Sequence, residues 1–291
     1  MQPHILVTGA TGNVGAELVK QLQNAGIAFR AGVTHPDSAR EKLGTDIDLV
    51  HFDFLDSTTY TSAFIGIEQM FLVRPPALAN VKRDIAPAVR AAVDAGVRQI
   101  VFLSIQGVEN NRIVPHHKIE QLILELDVDY TFLRCGFFMQ NLSTTHRDEI
   151  RDRDEIALPV GKARTSFIDV RDIAAVALKT LTEEGHARRS YTLTGAEALD
   201  YYEVAAKLSS VLDRPIVYKN PSPFSFLRQQ LSTGQKLGYA LVVTGLYTIT
   251  RFGNAETVSD DVTRILGRTP ISFDQFAQDY RAAWTQDTQT R

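Results

Sequence analysis

The sequence predicts an α/β fold: a doubly wound parallel sheet with a smaller α/β domain after it. Three observations predict this. The first half alternates short apolar runs with amphipathic helical stretches, the pattern of a parallel sheet covered by helices on both faces. A glycine-rich turn, Gly9-Ala10-Thr11-Gly12-Asn13-Val14-Gly15, separates the first apolar run from the first helix. The chain has 291 residues, 44% of them hydrophobic, so it can bury a full core without disulfides or metal staples.

The elements follow in order. His4 to Val7 is an apolar strand. Val14, Leu18 and Leu22 fall on one face of a helix that runs to Ala25 and is stopped by Gly26. Ile27 to Thr34 reads as the second strand. Pro36 opens a helix to about Leu43, where a missing N–H costs nothing. Leu49 to Phe52 and Met70 to Val73 are the third and fourth strands, the latter ended by Pro75-Pro76. Asn80 to Ala95 is a long helix closed by Gly96. Gln99 to Leu103, a helix from His116 to Leu126, and Tyr130 to Leu133 complete the first half.

The second half is less regular. Strands are expected at Thr165 to Val170, Ser190 to Leu193 and Pro215 to Tyr218. Helices are expected at Asp172 to Thr182, Tyr201 to Leu212, Phe224 to Phe252, Ala255 to Leu266 and Ser272 to Trp284. The segment Leu237 to Ile249 is unusually apolar. It suits a substrate pocket or lid, a dimer surface or plain core.

Composition narrows the function classes. Lys plus Arg number 31 and Asp plus Glu 34, a net charge of -3 with no basic block, so nucleic acid is not the expected partner. One cysteine excludes a disulfide scaffold and any cysteine-rich metal or iron–sulfur site. No His/Glu spacing suggests a metal. No apolar run approaches the ~20 residues of a membrane span. The first residues lack the charged and apolar regions of a secretory signal. A cytoplasmic protein acting on a small molecule is expected, with monomer and homodimer both open.

The Gly-x-x-Gly-x-x-Gly turn carries the sharpest chemistry. Gly9 suits a tight turn, Gly12 a close approach of backbone to a pyrophosphate, and Gly15 close packing of helix on strand. With Thr11, Asn13 and Val14 these residues place a diphosphate at a helix N-terminus, whose free N–H groups and positive dipole end favour it. An acid at the end of the second strand would favour NAD. That strand ends instead in Thr34-His35, with Asp37 just beyond and Arg40 one turn later. Thr34, His35, Ser38 and Arg40 suit a 2′-phosphate, so NADP is expected, with NAD possible through Asp37. Asp53 is placed to bond the adenine and Phe54 to pack on it, although Phe54 equally suits the core.

The chain resembles the NmrA-like atypical short-chain dehydrogenases: isoflavone-reductase-like enzymes, quinone and dye reductases, and cofactor-sensing regulators. The resemblance rests on Leu72-Val73-Arg74-Pro75-Pro76, on Leu133 to Leu142, on Ser166 to Ala174, and on Val262 to Trp284, and spans nearly the whole chain. It implies a Rossmann domain (residues 1–155), a smaller substrate domain (156–291) that partly completes the sheet, and a cleft between them. Val73, Arg74, Pro75, Gly136, Phe137 and Phe138 would then meet the cofactor.

Short-chain dehydrogenases usually carry Tyr-x-x-x-Lys with an upstream Ser. Lys118 matches the Lys and Ser104 supplies the hydroxyl, but Val114 stands where the Tyr belongs. Isoflavone-reductase-like relatives rely on the Lys without the Tyr. Lys118 is therefore expected to bind the nicotinamide ribose and set the electrostatics. Ser104 and His117, or its neighbour His116, would serve proton delivery. Cys135 reads as a small buried residue, and Asp169 with Asp172 as a structural turn. The implied function is NAD(P)H-dependent hydride transfer to a small apolar acceptor such as a quinone, enone, imine or dye. The alternative is a regulator that senses NADP without turnover. A sugar-nucleotide epimerase is disfavoured by the missing Tyr.

Overall fold

Seven parallel strands form the main sheet of the computed structural model, which describes residues 4–285. They are β1 (Ile5–Thr8), β2 (Phe29–Val33), β3 (Asp48–His51), β4 (Gln69–Leu72), β5 (Gln99–Ile105), β6 (Asp129–Cys135) and the strand Arg189–Leu193. Their order is Arg189–Leu193, β6, β5, β4, β1, β2, β3. The order reverses at β1, which has β2 on one side and β4 on the other, and ligands of such sheets bind at the carboxyl ends beside that switch. All four residues of β1 are buried, as both-sided helix cover requires.

The helices flanking the switch form for local reasons. Helix α1 (Asn13–Asn24) buries Val14, Leu18, Val19 and Leu22. Helix α2 (Pro36–Leu43) starts on Pro36 as expected. The long helix expected from Asn80 to Ala95 is two, Val81–Asp84 and Ala86–Asp94. Pro87 cannot donate an N–H into a continuous helix and its ring would crowd the Arg83 carbonyl, so the chain breaks at Ile85. A short helix, Tyr60–Phe64, was not expected, because five residues are too few to show a period.

The chain divides into two compact units that are not contiguous in sequence. The first comprises the chain up to Cys135, Val170–Leu193 and Asp261–Arg268. The second comprises Gly136–Asp169, Thr194–Asp260 and the chain from Thr269 on. The expected division fell at residues 155/156. The helix Val170–Thr182, which packs on α1, and the strand Arg189–Leu193, which extends the sheet beside β6, lie past that point yet belong to the first unit.

The second unit has its own core, in which Phe167, Phe226, Phe273, Phe276 and Trp284 are fully or nearly fully buried. Thr165–Ile168 pairs with Ala198–Leu199 and with Phe137–Phe138. The helix expected from Phe224 to Phe252 is again two, Pro223–Ser232 and Leu237–Thr250, separated around Gly234, whose φ is +83°. The second of these buries Ala240, Thr244, Tyr247 and Thr250 but exposes Leu237, Leu241, Val242, Leu246 and Ile249, so plain core does not describe it. The last two helices are shorter than expected, Asp261–Leu266 and Phe273–Asp279. Among the described residues no helix is long and apolar enough to cross a membrane.

Candidate dinucleotide site

The site begins at the carboxyl end of β1. Buried Thr8 donates its hydroxyl to the Phe71 carbonyl (3.0 Å) and accepts the Val73 N–H (2.8 Å), tying the ends of β1 and β4 together. The chain then turns at Gly9, where φ is +62°. The Gly12 N–H donates to the Gly9 carbonyl at 2.9 Å and closes the turn. A Cβ on Gly15 would lie 2.1 Å from the Gly9 carbonyl oxygen, an impossible contact. A Cβ on Gly12 would lie 3.2 Å from that oxygen, with only solvent beyond. Gly15 therefore serves the packing of helix on turn, and Gly12 an exposed surface.

Helix α1 leaves that surface positive. Its first turn carries no acid, and no side chain caps Gly12. The Ala16 N–H is bonded to the Gly12 carbonyl, so the N–H groups of Asn13, Val14 and Gly15 precede the first intrahelical bond. A glycine cradle under three N–H groups that have no partner among the described residues fits a diphosphate. Lys42 reaches back from α2 to the Thr11 carbonyl at 2.5 Å and braces the loop.

Beside it, at the carboxyl ends of β2 and β3, lies an open depression of about 580 Å³ lined by Thr34, His35, Pro36, Asp37, Ser38 and His51. Ser38 donates its hydroxyl to the His35 carbonyl at 3.1 Å. Arg40 is exposed one turn on, with no ion-pair partner among the described residues. The depression thus joins Thr34, His35 and Ser38, and adds His51, which sequence reasoning missed. The available signal was that His51 ends the third strand, as His35 follows the second.

Asp53 accepts the Leu55 N–H at 2.8 Å and shapes the next turn. Phe54 is buried, its ring 4.8 Å from that of Phe52, and belongs to the core beneath the sheet. After β4, Val73 sits 3.0 Å from where a Gly9 Cβ would be. Arg74 folds back: its Nη1 donates to the carbonyls of Pro75, Pro76 and Leu78 at 2.9, 3.0 and 3.2 Å. Its Nε is buried without a hydrogen-bond partner among the described residues.

The helix Pro115–Glu125 carries the expected catalytic group. Lys118 is exposed in its first turn. His117 is half-buried with Nδ1 3.2 Å from the Val108 carbonyl, which places a proton on Nδ1. His116 stacks on Phe102, ring centroids 6.0 Å apart. Burial, with a smaller effect of Arg74, pushes the pKa of His116 down to about 4. Ser104 is buried and donates its hydroxyl to Glu120 at 2.7 Å. Arg134 holds the same carboxylate with two bonds of 3.1 and 2.8 Å.

The remaining candidates lie in the second unit or outside any site. Half-buried Phe137 has its ring 6.1 Å from Tyr247, and Phe138 pairs with Ile168; Gly136 precedes them. Cys135 is buried, which pushes its thiol pKa up and makes it inert. Asp169 accepts from Gln140 at 2.9 Å, and Asp172 pairs with Arg268 at 2.7 Å. No cluster of metal-binding side chains occurs among the described residues.

Known proteins can be set beside this geometry. An NAD(P)H azoreductase from Xenophilus azovorans is 33% identical over 284 residues, covering 96% of this chain and 99% of the azoreductase. Two solved structures share the fold. Citrobacter triphenylmethane reductase in complex with NADP(H) has a TM-score of 0.82 at 24% identity, covering 96% of this chain and 99% of its own. An NADPH-dependent quinone oxidoreductase from Escherichia coli in complex with NADPH has a TM-score of 0.84 at 22% identity, covering 94% and 99%. The model of the NmrA-like family matches residues 1–276, and with the loop, the strand order and this relative in agreement, the chain belongs to the NmrA-like family.

Proposed function

We propose that this chain is an NADPH-dependent oxidoreductase that reduces a small, apolar, electron-poor acceptor of the azo, quinone or dye class. The glycine cradle under the bare N-terminus of α1 carries the reading, because Gly12 leaves an exposed surface beside the N–H groups that open the helix. The azoreductase relative, aligned end to end, supports the activity and the acceptor class. The first unit serves as the dinucleotide-binding domain and the second as the substrate domain.

When bound, the nicotinamide supplies the hydride. The chain supplies the rest. Asn13, Val14 and Gly15 present N–H groups to the diphosphate. Thr34, His35, Ser38 and Arg40 surround the adenosine end, with Asp53 near the base. Lys118 bonds the nicotinamide ribose; it has no ion-pair partner among the described residues that would hold it elsewhere. His117, its Nδ1 fixed on the Val108 carbonyl, exchanges a proton at Nε2. His116, pushed down to about 4, stays neutral near pH 7 and is the poorer donor. Ser104 acts through Glu120 rather than on the acceptor, since Glu120 holds its hydroxyl.

Oxidation of NADPH across a panel of azo dyes, quinones and enones tests the reading. Turnover is expected, and Lys118→Ala should lower both cofactor affinity and kcat by ~10 to 100-fold, the worth of one charge-assisted hydrogen bond. Lys118→Arg should not restore it. His117→Ala should lower kcat and leave affinity intact, while His116→Ala spares both. NADPH binding with no turnover on any acceptor would instead favour a cofactor-sensing regulator, the reading that the missing Tyr supports.

A further inference from the structure

His51 lies on the edge strand of the main sheet, exposed, with its backbone in register with Val33 of β2. The Phe52 N–H continues that pairing to the Val33 carbonyl at 2.9 Å. The pairing brings the last residue of β3 beside the chain leaving β2, so that His51 and His35, sixteen positions apart, line one depression with Thr34 and Ser38. The His51 side chain is outside the core and makes no hydrogen bond or ion pair among the described residues; the acid with which it interacts across space is Asp56, in the turn after β3. The depression also contains the carboxylate of Asp37, which opposes a bound anion and suits a ribose hydroxyl. A 2′-phosphate bound here therefore needs donors on the side away from Asp37, and neither Thr34 nor Ser38 carries a charge.

We infer that His51 is a specificity-determining residue for the adenosine end of the cofactor, donating a hydrogen bond to its 2′-phosphate opposite His35. The inference rests on the reading of this depression as part of the dinucleotide site. Selectivity for the phosphorylated ribose then comes from two imidazoles brought together by strand pairing, with Arg40 nearby, against the repulsion of Asp37. An imidazole N–H to a phosphate oxygen is a charge-assisted bond whose worth is reduced by the openness of the site.

Calorimetry with adenosine 2′,5′-bisphosphate and adenosine 5′-monophosphate tests this without turnover. The wild-type chain should bind the bisphosphate more tightly. His51→Ala should weaken the bisphosphate roughly 5- to 20-fold and leave the monophosphate unchanged. His51→Arg should restore or exceed wild-type selectivity, which a merely structural role would not do. Equal affinity of the wild type for the two fragments overturns the inference, as does equal loss or no loss in His51→Ala, and the cofactor site stands in each case. Failure of the wild type to bind either fragment overturns the cofactor reading, and this inference with it.

Discussion

The three glycines of the turn look equivalent in sequence and are not. Gly15 is excluded from carrying any side chain by a backbone oxygen 2.1 Å from its Cβ position, which no rotamer change relieves. Gly15→Ala should therefore shift the turn and lower stability by about 1–3 kcal/mol, read as a fall in the urea midpoint. Gly12 has φ −79° and ψ 173°, which any residue adopts, and a Cβ there would press only on the Gly9 carbonyl oxygen, 3.2 Å away. Gly12→Val should lose about 1 kcal/mol of stability, less than Gly15→Ala, and lose dinucleotide affinity sharply, because its branched side chain fills the approach to the helix start. A Gly12→Val chain with unchanged affinity would mean that the turn binds nothing. These roles follow from distances that the Gly-x-x-Gly-x-x-Gly spacing does not contain.

At the level of elements, the helix Pro115–Glu125 shows how a residue's role depends on what lies under it. Glu120 is almost wholly buried, held by two bonds from Arg134 and one from Ser104. The network pins the helix that carries Lys118 to β5 and β6. Glu120→Ala would leave Arg134, partly buried, with only the more exposed Glu109 at 3.4 Å as a partner, and should cost on the order of 2 kcal/mol in chemical unfolding. Ser104→Ala removes only one donor to that charge and should cost less, about 1.5 kcal/mol. A Glu120→Ala chain within 0.5 kcal/mol of wild type, on the order of a neutral surface change, would show that solvent screens the network. The sequence put Lys118 on the helix after β5, where it lies, but ended that strand at Leu103, whereas β5 runs on through Ser104 to Ile105. It could not reveal that Glu120 claims the Ser104 hydroxyl, because that contact crosses sixteen residues and depends on the depth at which the helix sits.

For the whole molecule, His116 makes stability depend on pH. Its pKa is pushed below the ordinary histidine value to about 4, mainly by burial. Between pH ~6.5 and ~4 the unfolded chain binds a proton there that the folded chain does not, so stability rises with pH across that window and falls as acid is added. The contribution is present in full above pH ~6.5 and amounts to about 3 kcal/mol. His116→Phe, which keeps a ring against Phe102 without a titrating nitrogen, should flatten the slope relative to wild type. Thermal melts at a series of pH values compare the two chains. Parallel curves would show that His116 takes up its proton equally in both states.

The order and type of the elements in the first half were legible because each is set by local physics. A 3.6-residue period marked α1, Pro36 started α2, and apolar runs bounded by Gly and Pro marked the strands. The same local rules located the glycine turn and so the diphosphate site. Two helices expected to be continuous are divided where one residue overrides a period, as Pro87 does at Ile85 and Gly234 does between Pro223–Ser232 and Leu237–Thr250. By itself, then, the sequence determined a parallel doubly wound sheet, its glycine loop and the family resemblance. The tertiary structure alone decided that Arg189–Leu193 joins β6 and that Arg74 folds onto its own loop. It alone decided that Ser104 serves Glu120, and that His51 lines one depression with His35. Local periodicity is written residue by residue into the backbone and side-chain sterics of each segment. Which side chains face one another depends on strand order, register and burial, and these are settled only when distant segments pack together.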